Sequence, residues 1–169
     1  METGFDDFAE KEKQHPLTNM PNSQPNVKVS YMFPEHPDRA FPAGELVTAL
    51  VGIRNEGKYQ VSLQGVMGSL NSPRDFEIYV HNFTGQMYEG VKLAHGEETT
   101  LQYRFMPDAS LYALDFTVAL TAFYSVGDID AADTFFNQTV SIVTGGSGFD
   151  LQVLSIYLML LALLAAPLY

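Results

Sequence analysis

The sequence VTALVGIRNEGKYQVSLQGV, residues 47–66, alternates apolar with polar or small side chains on both sides of a turn signal, Asn55-Glu56-Gly57. Alternation with a period of two places one set of side chains on each face of a β-strand. A turn between two such runs predicts a β-hairpin, in which residues 47–53 pair with residues that follow Tyr59. At Gly65 the alternation changes parity, so we expect a bulge or bend there.

The same alternation recurs before and after this hairpin, without helical spacing. It predicts half-buried strands whose apolar side chains face the core. Among the side chains predicted to be buried are Tyr59 in the hairpin, Ile78 and Val80 in one strand, and Leu114 in the longest strand. Seven short strands with no helix to cover a parallel sheet are typical of an antiparallel two-sheet sandwich. We therefore predict an all-β fold, an immunoglobulin-like antiparallel β-sandwich of about seven strands, followed by one C-terminal transmembrane helix. The predicted strands are 27–33, 47–53, 59–70, 76–81, 101–105, 112–124 and 136–142.

The composition indicates one folded domain with a short appendage, and it excludes several kinds of function. The 169 residues include 9 Lys and Arg against 20 Asp and Glu, which gives a formal net charge of −11. A nucleic-acid groove needs a basic face, so direct binding of nucleic acid is excluded. Cysteine is absent, and its absence excludes disulfides, thiolate zinc sites and thiol catalysis.

Changes in composition divide the chain into four segments. Residues 1–26 combine acidic residues with prolines and predict a flexible arm, residues 27–144 form the predicted sandwich, and residues 145–150 form a Gly/Ser linker. Residues 151–169 carry no charge and would extend about 28 Å as a helix, close to the roughly 30 Å of a bilayer's hydrocarbon, which predicts a transmembrane helix. The alternatives are a buried C-terminal helix, which needs a polar face, and a lipid-anchor signal, which needs a longer polar spacer.

Two N-x-[ST] sequons indicate the compartment. They are Asn82-Phe83-Thr84 and Asn137-Gln138-Thr139, and neither contains proline. Asn82 lies at the end of a predicted strand, on the parity of Val80, and Asn137 lies on the polar parity of the last strand. Two sequons beside an uncharged tail predict a lumenal or extracellular domain that is glycosylated at Asn82 and Asn137.

Three carboxylates, Asp128, Asp130 and Asp133, lie within the predicted loop 127–133 and are candidate metal ligands. Ca²⁺ takes six to eight oxygen ligands, of which this loop would supply some, although the spacing matches no EF-hand. The alternative is a solvated hairpin loop. No motif in the sequence requires a cofactor. Ca²⁺ is the one candidate ligand, at these three carboxylates. No catalytic residue is predicted, and we expect that the protein is not an enzyme.

Four segments resemble a known family when they are taken in order along the chain. They are similar to the family of translocon-associated protein alpha subunits, also called signal sequence receptor alpha subunits. The two sequons in their strand contexts are the most specific part of this likeness. The matching segments are residues 41–44, 51–57, 75–84 and 135–140.

The resemblance implies a single-pass protein of the endoplasmic reticulum membrane with its N-terminal domain in the lumen. It implies a cleaved signal, an acidic lumenal arm, a lumenal β-sandwich, a membrane helix and a basic cytosolic tail beyond the 169 residues. The implied partners are the other translocon-associated protein subunits, the beta subunit especially, the Sec protein-conducting channel, and the ribosome through the tail. The family also implies an association with calcium.

We therefore expect a non-catalytic, membrane-anchored subunit of the translocon-associated protein complex that assists translocation through the Sec channel, with weak calcium binding at most. Met87 and Tyr88 lie in a predicted exposed loop and are the candidate partner-binding residues, because a few desolvated apolar side chains dominate most protein interfaces. The alternative is a cell-surface adhesion or receptor-type β-sandwich glycoprotein. Cellular localisation distinguishes the two functions.

Overall fold

The computed structural model of the chain describes residues 20–75, 78–111, 113–144, 155–157 and 159. Ten β-strands run through these residues, and the all-β prediction is confirmed. The strands are β1 (Val27–Met32), β2 (Ala40–Pro42), β3 (Val47–Asn55), β4 (Val61–Asn71), β5 (Tyr79–Asn82), β6 (Gln86–Met87), β7 (Lys92–Leu93), β8 (Glu98–Phe105), β9 (Asp115–Val126) and β10 (Ile129–Val143).

The strands form two sheets. The smaller sheet has the order β1-β3-β8, and both of its strand pairs are antiparallel. The larger sheet has the order β2-β10-β9-β4-β5, and the short strands β6 and β7 also pair with β4. Its pairs are antiparallel except that β2 runs parallel to β10 beside residues 141–143. We call the unit formed by both sheets, residues 27–143, the two-sheet domain.

Apolar side chains from both sheets meet in one core. Phe105, the last residue of β8, is central to it, with its ring centroid 4.7 Å from that of Phe83 and 5.6 Å from that of Phe41. In the same aromatic cluster, Tyr31 of β1 meets Phe136 of β10 edge to face at 5.1 Å. Aromatic rings attract each other in such tilted and edge-on arrangements, so they join the two sheets as well as filling the space between them.

Each of the seven predicted strands overlaps an observed strand. The predicted hairpin was wrong, because β3 pairs with β1 and β8 in the smaller sheet, whereas β4 belongs to the larger sheet. The turn at residues 55–57 therefore carries the chain from one sheet to the other. The short strands β2, β6 and β7 were not predicted, because two or three residues are too few to show a period. The bulge expected at Gly65 is confirmed, since the pairing of β4 with β9 shifts register between Leu63 and Gly65.

The predicted burial was wrong at four positions near strand ends. The exposed fractions are 55% for Ile78, 43% for Val80, 72% for Tyr59 and 59% for Leu114. Ile78 and Val80 lie beside or within β5, which is at the edge of the larger sheet. Tyr59 and Leu114 lie in the chain just before β4 and β9. Alternation shows that a strand has two faces, but a face is buried only where the opposite sheet covers it. The opposite sheet does not cover the edge strand β5 or the strand ends at Tyr59 and Leu114, so apolar side chains there stay exposed.

The predicted membrane segment is only sparsely covered by the structure. Residues 155–157 and 159 are helical, and among the described residues no helix has the length and hydropathy needed to cross a membrane. The linker 145–150, the rest of 151–169 and residues 1–19 of the predicted arm lie outside the described residues.

Candidate functional site

A short segment, residues 84–88, lies along the edge of β8 that does not pair with β3, and we call it the edge segment. Its backbone pairs with β4, with Met87 opposite Gly65. On the other side, the backbone N–H of Arg104 in β8 donates to Oε1 of Gln86 at 3.0 Å. Side-chain bonds of this kind occupy the edge of a strand, which would otherwise offer free backbone groups to another chain. The edge segment therefore connects the two sheets.

Two tyrosines complete this connection. The hydroxyl of Tyr103 donates to the backbone oxygen of Thr84 at 3.1 Å, and the hydroxyl of Tyr88 donates to that of Gln102 at 2.6 Å. Burial raises the pKa of both tyrosines, so both hydroxyls keep their protons at neutral pH. The edge segment is thus held by donors that do not titrate in the physiological range.

The two predicted partner-binding residues differ in how exposed their side chains are. Met87 is 70% exposed. Tyr88 is half-buried, packs against the core and uses its hydroxyl within the domain. Of the two, Met87 has the side chain that is accessible to a partner. The glycine at position 65 allows the edge segment to lie this close to β4, because a Cβ atom on residue 65 would lie 2.8 Å from the backbone oxygen of Gln86.

Both predicted glycosylation sites have exposed asparagines. Asn82 is the last residue of the edge strand β5, and it lies on the same exposed face as Val80. Asn137 lies within β10 and is exposed between the buried residues Phe136 and Val140. The side chain of each asparagine is therefore accessible, and the sites lie on two strands of the larger sheet.

The acidic residues do not share one loop. Strand β10 begins at Ile129, so the expected loop 127–133 is a two-residue turn, with Gly127 at a φ of 60° as such hairpins require. Asp130 and Asp133 are three positions apart in a strand and point to opposite faces. Asp130 accepts a hydrogen bond from Nε2 of Gln64 at 2.8 Å. Among the described residues, no three His, Cys, Asp or Glu side chains are grouped as metal ligands.

Asp133 gives the domain a pH dependence. Burial raises the pKa of its carboxyl group, and the charge of Lys28 partly opposes this shift. A folded-state pKa above the unfolded value stabilises the fold at low pH, and this contribution is lost as pH rises through the folded pKa, from about pH 4 upward. We expect Asp133→Asn to raise the melting temperature more at pH 7 than at pH 3. Asp128→Asn removes the same charge from the exposed turn, and an equal gain from both variants would contradict the burial argument.

A groove of about 680 Å³ lies at the end of the two-sheet domain where β3 and β9 end. Residues of the segments 24–27, 55–59 and 126–129 line it. Its rim carries both signs of charge and two exposed apolar side chains, Tyr59 and Ile129. Such a mixture suits contact with a polypeptide surface more than acid-base chemistry.

Asn55 holds this end of the domain together. Its fully buried side chain donates from Nδ2 to the backbone oxygens of Tyr59 at 2.9 Å and Leu93 at 3.0 Å, and Oδ1 accepts from the N–H of Gly57 at 2.9 Å. Sequence reasoning missed this role. The turn signal Asn55-Glu56-Gly57 marks the local bonds, but nothing near it indicates the bond to Leu93, which is 38 positions away.

Similarity to known proteins extends over most of the chain. The family described as "Translocon-associated protein (TRAP), alpha subunit" matches residues 30–169. The translocon-associated protein subunit alpha of Dictyostelium discoideum is 34% identical over 138 residues, 82% of this chain and 57% of that protein. The Arabidopsis thaliana subunit of the same name is 30% identical over 161 residues, 94% of this chain and 62% of that protein. The chain thus spans about three fifths of the length of these relatives.

A solved structure supports the fold alone. The C-terminal domain of Wzt superposes with a TM-score of 0.51 at 10% identity, covering 75% of this chain and 83% of that one. At this level of identity the likeness concerns the arrangement of strands and carries no information about binding.

Proposed function

The chain belongs to the family of translocon-associated protein alpha subunits, and we propose that it is a non-catalytic, membrane-anchored subunit of the translocon-associated protein complex of the endoplasmic reticulum. In this role it assists the passage of proteins through the Sec channel. The family match over residues 30–169 is the observation that supports the proposal most strongly. The strand orders β1-β3-β8 and β10-β9-β4 support an immunoglobulin-like arrangement, which resembles a sandwich of one ABE and one CFG sheet.

We propose that residues 151–169 anchor the chain as a single transmembrane helix and that the two-sheet domain lies in the lumen. The proposal rests on 19 consecutive residues without a charge, which match the thickness of the bilayer hydrocarbon. We propose weak calcium binding at most, because the carboxylates of Asp130 and Asp133 point to opposite faces of β10 and cannot coordinate one ion together. Calcium titration calorimetry that revealed a tight stoichiometric site would contradict this part of the proposal.

Within the complex, we propose that the edge segment is a docking element for the beta subunit or the channel. Met87 is a flexible, highly exposed apolar side chain, and the bonds beneath it fix the backbone that presents it. Apolar anchors held on a rigid support contribute most of the energy at protein interfaces. The acidic charge of the chain favours partner segments that are basic or polar.

Met87→Glu tests the docking element. We expect this substitution to weaken association with the complex by about tenfold or more, since it places a charge in a desolvated contact. Co-purification from mild detergent measures the loss. Met32→Glu is the control, because Met32 is a similarly exposed methionine of the smaller sheet. If deletion of the whole two-sheet domain leaves both co-purification and precursor translocation unchanged, then neither the edge segment nor any other part of this domain is the docking element.

Glycosylation tests the lumenal location. We expect Asn82→Gln and Asn137→Gln each to remove one of two mass shifts produced by endoglycosidase treatment of the protein from a glycosylating host. Thr84→Ala and Thr139→Ala provide independent variants, because they destroy the same sequons and keep both asparagines. A protein without either glycan would favour a location outside the lumen.

A further inference from the structure

Exposed apolar side chains are grouped at the end of the two-sheet domain opposite the groove. Leu46, Met106 and Leu114 are each more than half exposed, and Val143 is 39% exposed. Single exposed apolar residues are ordinary, but a group at one end of a domain marks a contact surface. We call these four residues the apolar end.

Pairing and backbone bonds bring the apolar end together. Val47 pairs with Phe105 at the last register position of β3 and β8, so Leu46 and Met106 are the next residues on either side. Nearby, the N–H of Gly44 donates to the oxygen of Pro107 at 2.8 Å. These bonds join the loop before β3 to the loop after β8.

The same end includes the last residues of β10. The N–H of Ile142 donates to the oxygen of Leu114 at 2.9 Å, and the N–H of Ala43 donates to the oxygen of Val143, also at 2.9 Å. Leu114 and Val143 therefore lie beside the loop that carries Leu46. The apolar end surrounds the point at which the chain leaves the last strand.

The distance to the uncharged segment is short. Residues 144–151 extend at most about 28 Å even when fully stretched, and the uncharged segment begins at Leu151. Strand β10 itself rises about 45 Å between Ile129 and Val143. An anchor at residue 151 therefore keeps the apolar end within about 28 Å of the bilayer, whereas Ile129, at the groove end, lies a further strand length away along β10.

We infer that the apolar end contacts the membrane surface, with Leu46, Met106 and Leu114 entering the boundary between headgroups and acyl chains. This inference rests on the proposed membrane anchor. Apolar loop residues bind this boundary through the area that they bury there. The neighbouring carboxylates Glu45 and Asp108, in a chain with a net charge of −11, favour a neutral zwitterionic surface over an anionic one.

The absence of cysteine allows a direct test in the full chain. Leu46→Cys, Met106→Cys and Leu114→Cys are each labelled with an environment-sensitive fluorophore and reconstituted into phosphatidylcholine vesicles, with or without lipids that carry a nitroxide at a shallow acyl position. Ile129→Cys is the matched control, because Ile129 is also more than half exposed and lies at the other end. We expect nitroxide lipids to lower the fluorescence of the first three probes by about twofold or more and to leave the control unchanged.

The outcomes separate the inference from the anchor on which it rests. Flotation of the vesicles shows whether the chain is membrane-bound. A bound chain whose four probes respond alike overturns the contact and leaves the anchor intact, whereas a chain that does not float overturns both. Shielding of the probes that requires added channel, and does not occur in lipid alone, also overturns the lipid assignment and gives this end to a protein partner. Met106→Glu in the Leu46→Cys chain should abolish the quenching without affecting flotation.

Discussion

Replacement of Asn55 by leucine is expected to lower the free energy of unfolding by about 3–5 kcal/mol, since each buried polar group left without a partner costs about 1–3 kcal/mol. Leucine has a similar size but cannot bond to the backbone oxygens of Tyr59 and Leu93 or to the N–H of Gly57. Because domains are stable by only about 5–15 kcal/mol, this single substitution removes a large part of the total.

Guanidinium unfolding of the detergent-solubilised chain, followed by circular dichroism, measures the loss. Asn82→Leu in unglycosylated protein is the matched control, because it makes the same change at an exposed strand end and should alter stability by no more than about 0.5 kcal/mol. Asn55→Asp keeps the acceptor for Gly57 but loses both donated bonds, so it should also destabilise. A loss below 1 kcal/mol, as an approximate limit, for Asn55→Leu would mean that the loop finds other partners.

Phe105→Ala is expected to lower the free energy of unfolding by about 3–5 kcal/mol, the usual cost of removing a buried phenyl ring. Phe105 is 3% exposed, and its ring packs against Phe83, Phe41 and Tyr103, with the Tyr103 ring centroid at 5.9 Å. These neighbours belong to separate strands and loops that backbone bonds hold in place. They cannot all move inward to fill the space, so a cavity remains.

The adjacent residue provides the control for this substitution. Met106 is more than half exposed, and Met106→Ala should change the stability of the solubilised chain by no more than about 0.5 kcal/mol. Phe105→Leu should cost clearly less than Phe105→Ala, because it retains more of the packed volume. If leucine and alanine were equally costly, the aromatic contacts rather than the filled volume would dominate at this position.

Alternation was sufficient to locate the main strands because each of them has one face on a common core. It located both strands that flank the turn Asn55-Glu56-Gly57 and the bulge at Gly65, where the parity changes. It failed on how these two strands pair, because β3 and β4 belong to different sheets. It misplaced Tyr59, Val80 and Leu114, because the position of the second sheet is not encoded in the period of a single strand. The expected calcium loop failed as a loop for a related reason: β10 begins at Ile129 and extends through Asp133.

The candidate sites differ in how far sequence reasoning can reach. A sequon is local, so Asn82 and Asn137 are recognisable without a fold, and the structure adds only that both are exposed. The difference between Met87 and Tyr88 depends on a bond to Gln102, which lies on another strand. Contacts between residues distant in sequence leave no pattern in a single chain, and the groove and the apolar end consist of such contacts.

The parallel pairing of β2 with β10 has a consequence for how the domain is made. Ala40 pairs with Ser141, 101 positions later (141 minus 40), and closing a loop of this length costs about 4 kcal/mol in chain entropy. Strand β10 lies between β2 and β9 and contributes buried residues at Phe136, Val140 and Ile142. A chain still being synthesised therefore has an open edge on β9 and an incomplete core until β10 has emerged. We expect the domain to complete its folding only after β10 has been synthesised, with the unfinished sheet dependent on chaperones until then.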